Sequence, residues 1–184
     1  MSQNPTEILR AEHELVVMVV EAMEREVASI ERTDRVNTDR VANMVDFTRN
    51  FTDGCHHNKE EKLLFPLLEQ RDPAAGGPVS VMLSEHEAGR EAVRAITGAL
   101  PAVADDPAAR KTVAENLGLY AQLLRLHIDK ENNVLFPLAE RILGDLDKKR
   151  LRDEFERVEE EETGAGVHER YHAMAHVLHG DADD

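Results

Sequence analysis

Two stretches of this chain, 71 positions apart, carry the same motif, and that duplication limits the fold more than any other feature. His56, Lys59, Glu60, Leu64, Phe65, Pro66, Leu67 and Glu69 overlie His127, Lys130, Glu131, Leu135, Phe136, Pro137, Leu138 and Glu140. A shift of 73 lays Glu12-His13-Glu14 onto Glu85-His86-Glu87. Around these strings apolar residues recur at steps of three and four: Leu9, His13, Val16, Val20, Met23, Val27 and Ile30, then Val79, Met82, His86, Gly89, Val93, Ile96 and Leu100. Leu117, Tyr120, Leu124, His127, Glu131, Val134 and Leu138 do the same. That is the period of one buried helix face, so the repeating unit is a helical hairpin used twice. Two antiparallel hairpins pack into an all-α, up-down four-helix bundle.

Capping chemistry sets the predicted boundaries. Asn4-Pro5 with Glu7 three residues on, Gly77-Pro78 and Asp106-Pro107 each offer a cap or a proline suited to a first helical turn. The polar run 31–37 breaks the pattern between them. Four helices are expected over 5–30, 38–70, 78–100 and 107–143, forming a bundle over 1–143. A narrower stripe, Leu151, Phe155 and Val158, predicts a fifth helix over 146–162, ended by Thr163-Gly164-Ala165-Gly166. A sixth is predicted over 167–179, before an acidic tail at 181–184 expected to fray. These last segments, 144–184, are expected to pack on the bundle as a C-terminal extension.

With 41% hydrophobic residues, 4% aromatic and no Trp, the core must be aliphatic, which favours helices over strands. A net charge of −15 repels phosphate backbones and anionic membrane faces, so neither nucleic acid nor a membrane is an expected partner. No run nears the roughly 20 apolar residues of a span, and the first residues lack a basic head and apolar run, so a cytoplasmic protein is expected. The single Cys55 agrees with a reducing compartment and reads as a small buried hydrophobe rather than a metal ligand.

Six ionisable residues interrupt the apolar stripes: His13, His56, Glu60, His86, His127 and Glu131. In each H-x-x-x-E pair the offset of four puts both side chains on one face, about 6 Å apart along the axis, within reach of one ion. Burying two carboxylates and four imidazoles without partners would cost several kcal/mol per group, and a metal satisfies them together. The set is rich in nitrogen and oxygen and free of thiolate. Two irons fit it best, with manganese or zinc as alternatives. Helix two offers a rival register, His57 with Glu61. The repeat alignment and the apolar trace Val41, Val45, Thr48, Thr52 favour His56 with Glu60, leaving His57 and Glu61 as supporting or surface groups. Pro66 and Pro137 are expected to end or kink their helices one to two turns after each glutamate.

The pattern H…HxxxE…H…HxxxE, met by His13, His56/Glu60, His86 and His127/Glu131, resembles the hemerythrin-like, or HHE cation-binding, family over about 5–143. The resemblance implies a non-haem di-iron site with oxo or hydroxo and glutamate bridges. The chain departs from oxygen-carrying hemerythrins at Arg90, where those proteins have a second histidine, and in having HxxxE rather than HxxxxD on helix four. Reversible oxygen carriage is therefore not implied. What the resemblance implies is a site for peroxide, O2 or NO, with peroxide decomposition first, and an O2 or NO sensor or an iron-centre repair protein as the other readings. The oligomeric state and the electron donor are left open.

Beyond the bundle, His168, His172, His176 and His179 form a stripe beside Tyr171. Solvent-boundary histidines on an amphipathic helix are expected, with Tyr171 and His168 the better candidates for a role near the site. Tyr120 reads as core, and the acid run 159–162 as solvated surface.

Overall fold

The computed structural model describes residues 4–159 and 166–180, and among these there is no strand. Helix α1 is Pro5–Thr33, and at its start Glu7 accepts from the Asn4 backbone N–H, the Glu7 half of the expected capping box. Helix α2 is one helical rod over 38–71, opened by Asn37, whose side chain accepts from the Arg40 N–H. A short turn, Pro73–Ala75, leads into α3, Gly76–Ala99. Helix α4 runs over 107–142, capped by Asp106, which accepts from the Ala108 N–H. Helices α5, Asp145–Arg157, and α6, Val167–Gly180, complete the described chain.

Contacts between the rods fix their directions. Thr6 meets Glu140, Arg10 meets Asn132, Glu24 meets Arg125 and Asp34 meets Arg110, so α1 and α4 run antiparallel. Glu12 meets His56 and Glu26 meets Asn37, which sets α2 antiparallel to α1. His86 meets Glu61 and Arg90 meets Asp53, which does the same for α3 and α2. The four rods therefore form an up-down-up-down bundle.

The two proline strings do not end their helices. Instead the turns Glu60–Leu64 and Glu131–Leu135 widen, so that the Phe65 N–H bonds to the Glu60 carbonyl and the Phe136 N–H to the Glu131 carbonyl, five residues back. A proline clashes with the carbonyl four residues before it, and a wider turn relieves the clash while the rod continues. A third wide stretch, Thr48–His57, lies upstream in α2.

The apolar core is in two parts. One cluster joins Val16, Val20, Met23, Met44, Phe47, Phe51, Val93, Ile96, Leu117 and Tyr120. The other joins Leu9, Leu64, Phe65, Leu68, Val79, Leu135, Phe136 and Phe155. Helix α5 closes the second cluster with Leu151 and Phe155, and α6 completes the first with Tyr171, Ala175 and Leu178. Between the clusters lies a layer of buried polar residues. The predicted fifth helix is α-helical only to Arg157, and residues 160–165 and the acidic tail lie outside the described residues. No helix among those described is long and apolar enough to cross a membrane.

Candidate metal centre

All six predicted groups fall in the polar layer: His13 from α1, His56 and Glu60 from α2, His86 from α3, His127 and Glu131 from α4, each 3% exposed or less. His13 Nε2 and His56 Nε2 stand 3.1 Å apart, as do His86 Nε2 and His127 Nε2. Two imidazole nitrogens bound at about 2.1 Å and a right angle to one ion would be about 3 Å apart. The carboxylates lie across both pairs. Glu60 places Oε1 3.7 Å from His56 Nε2 and Oε2 3.6 Å from His86 Nε2. Glu131 places Oε2 3.1 Å from His13 Nε2 and Oε1 3.3 Å from His127 Nε2. Two lobes result, His13–His56–Glu60–Glu131 and His57–His86–His127–Glu60, the donor atoms of each within 4.8 Å of one another.

The other ring nitrogen of every histidine in the layer is tied outward. His56 Nδ1–H donates to Glu12 at 2.8 Å, His127 Nδ1–H to Glu85 at 2.9 Å, His86 Nδ1–H to Glu61 at 2.6 Å and His13 Nδ1–H to Asn132 at 3.1 Å. His57 Nδ1–H donates to Asp53 at 3.3 Å. These bonds favour the tautomer with its proton on Nδ1, in which a neutral ring turns its Nε2 lone pair into the layer, the state in which imidazole binds a metal. Lys59 then pairs with Glu12, and Lys130 with Glu85. The phenylalanines of the two proline strings stack on the rings, Phe136 on His13 and Phe65 on His86, and keep that side dry.

The electrostatics match a cation site. All four oxygens of Glu60 and Glu131 are buried and make no hydrogen bond, the imidazoles nearby standing close but out of line. Burial and the neighbouring Glu131 push the Glu60 carboxyl well above its usual range. Burial acts on Glu131 in the same direction, yet His127 and His13 hold it well below. Two carboxylates in one dry layer cannot both stay charged without positive charge between them. Burial drives His56 down to about 4 against the pull of Glu12. For Glu12 itself, burial is outweighed by the bonds from His56 and Lys59, and its carboxyl is lowered to about 2. Orphaned carboxylate oxygens, free Nε2 atoms and spacing across two lobes together fit a pair of divalent or trivalent ions.

The structure corrects the reading of His57. It is not a surface residue: His56 and His57 are both buried, and His57 stacks on His86 with ring centroids 3.7 Å apart. The wide turns of Thr48–His57 are the reason. A count of 100° per residue puts 56 and 57 on different faces, but an expanded stretch brings successive residues inward together. Glu61, paired with His57 in the rival register, instead accepts from His86 and Arg90. Arg90 is engaged with Asp53 and Glu61, so the fifth imidazole of the layer enters from α2 rather than from α3. Sequence reasoning also missed Glu12 and Glu85 as anchors. The repeat carried that signal, since it overlays Glu12 on Glu85 and Lys59 on Lys130.

Tyr171 and His168 are not part of the layer. Tyr171 packs on Phe47 and donates its hydroxyl to Asp46, and His168 lies edge-on to Phe51. His172 and His176 are exposed. Cys55 is buried beside Glu12 and Glu159, and Tyr120 is core.

The chain is 24% identical over 153 residues to an uncharacterized protein of Mycobacterium tuberculosis, across 83% of this chain and 59% of that one. A protein of Mycobacterium bovis matches equally. It is 40% identical over 88 residues to the iron-sulfur cluster repair protein YtfE of Salmonella newport, across 46% of this chain and 40% of YtfE. The chain thus spans less than two thirds of these relatives. No solved structure gives a significant match. The model of the hemerythrin HHE cation-binding domain matches residues 4–139, and the chain belongs to that family.

Proposed function

We propose that the layer binds two iron ions, which the residues of the two lobes would hold, and that the protein acts on small oxidants in the cytoplasm. Manganese or zinc are the competing metals. The observation that carries this is the outward tether on all five Nδ1 atoms around two orphaned carboxylates. A polar core network would spend its Nε2 and carboxylate atoms on each other in good hydrogen-bond geometry.

When bound, paired iron supplies Lewis acidity and one-electron redox capacity. The chain's residues do the rest. Glu12 and Glu85 fix the ring orientations of His56 and His127, which keeps Nε2 aimed inward. Phe65, Phe136 and the two apolar clusters exclude water above and below. Peroxide is the first candidate substrate, with disproportionation to oxygen and water as the reaction, and O2 and NO follow as ligands.

A second reading, repair of damaged iron centres, is favoured by the similarity to YtfE. Elemental analysis of untagged protein tests the metal, with about two irons per chain expected. Oxygen evolution on adding peroxide supports the disproportionation reading. A stable NO adduct without turnover favours binding or repair, and absence of iron after reconstitution overturns the iron assignment.

A further inference from the structure

A cleft of about 530 Å³ lies between α2, α3 and α4, its deep end at His57 and His86 and its rim at Arg49, Arg94 and Gly98. That volume is out of proportion to peroxide, O2 or NO, since one water takes about 30 Å³ of liquid and organic ligands occupy sites of about 300–1,000 Å³. Its floor is apolar: Val93, Leu124 and the ring of Tyr120. Gly89 keeps that floor in place, because a Cβ there would meet Tyr120 Cε2 at 3.2 Å.

The charges in the cleft are mostly spent. Asp53 pairs with Arg90 and accepts from His57, and Glu85 pairs with Lys130 and accepts from His127. Arg90 is used by Asp53 and Glu61, and Arg94 by Glu87. Arg49 pairs with no acid among the described residues, and it sits on the rim of a cleft in a chain of net charge −15. An unspent guanidinium above an apolar floor recognises a carboxylate on an apolar body.

We propose that this cleft binds a small aromatic monocarboxylate, with its carboxylate on Arg49, its ring against Val93, Leu124 and Tyr120, and its far edge towards His57 and His86. Binding itself is independent of the metal reading. Only the consequence, that the ligand is presented to the centre, rests on it.

The test is calorimetric titration of the full chain as purified with cinnamate, and with cinnamamide as a neutral molecule of the same shape. Saturable one-to-one binding is expected, weaker by about tenfold or more for the amide and for Arg49→Glu, and largely retained in Arg49→Lys. Gly98→Trp should abolish it: a Cβ at Gly98 meets nothing within 4 Å, so the backbone need not shift to take a side chain there, and an indole at this lining position should obstruct the cleft. No saturable binding by the parent protein, equal affinity for the amide, or binding that survives Gly98→Trp would each overturn the proposal. Metal content measured on the same samples separates the two readings. Cinnamate binding by an iron-free preparation upholds the cleft and removes the iron, and iron without cinnamate binding does the reverse.

Discussion

The two halves of the bundle carry the same relay in different surroundings. In the first, His56 bonds to Glu12 and Glu12 to Lys59, and Lys59 is fully buried under the Phe155 ring and paired with Glu159 from the C-terminal segment. In the second, His127 bonds to Glu85 and Glu85 to Lys130, but Lys130 is 38% exposed. The duplication supplied equal chemistry, and the segment after the second repeat made it unequal. One lobe is sealed, while the other faces the cleft at His57 and His86. A charge pair that is cheap in water becomes a structural commitment once covered, so the same substitution should read differently in the two halves.

The largest effect is expected at the centre both halves share. His127→Ala should lose at least one ion per chain and cost about 3–5 kcal/mol by leaving buried Glu131 with His13 as its one remaining imidazole neighbour among those described. Parent-like metal content and melting would break the ligand set. Next come the two lysines. Lys59→Met, which strands Glu12, should cost about 3–5 kcal/mol in guanidinium unfolding, and Lys130→Met at most about 1 kcal/mol. Equal losses would end the comparison.

Acid titration sharpens it further. The folded pKa of Glu12, about 2, lies below its ordinary 4.5, so its contribution is complete above pH 4.5 and is lost as pH falls towards 2. His56, lowered from 6.5 to about 4, acts in the same sense between those values. Glu12→Gln should therefore remove roughly 3 kcal/mol of pH-dependent stability from the acid limb. Glu85→Gln should flatten it less, because Glu85 is half-buried where Glu12 is fully buried, and its partner Lys130 is 38% exposed. Glu159→Gln should be as small as Lys130→Met: its carboxylate is a third exposed, and loss of its charge should cost at most about 1 kcal/mol. A loss as large as that of Lys59→Met would mean that the seal, not Glu12, holds Lys59.

Much of this was legible in advance. Helix edges at Pro5 and Asp106 follow from local capping, which needs only neighbouring residues, whereas the cap at Asn37 lay inside what read only as a polar break. The inward faces of α1 and α3, and of α4 as far as Glu131, follow from a constant period; beyond it the wide turn buries Leu135 and leaves the expected Val134 55% exposed. The reading failed where the period changed, at Thr48–His57 and in the turns before Pro66 and Pro137. Whether a proline ends a helix or only widens a turn depends on what the next turn packs against. Here Phe65 and Phe136 are anchored in the core, and the rod is held together across the defect.

By itself the sequence determined the repeat, the helical hairpins and the six inward groups, because each is a matter of period and spacing along one chain. Only the tertiary structure decided that His57 joins His56, which acceptor holds each Nδ1, and that one relay is closed while its twin is open. Those depend on contacts between residues far apart in the chain, such as Lys59 with Glu159, and on turn geometry that no fixed residue count encodes.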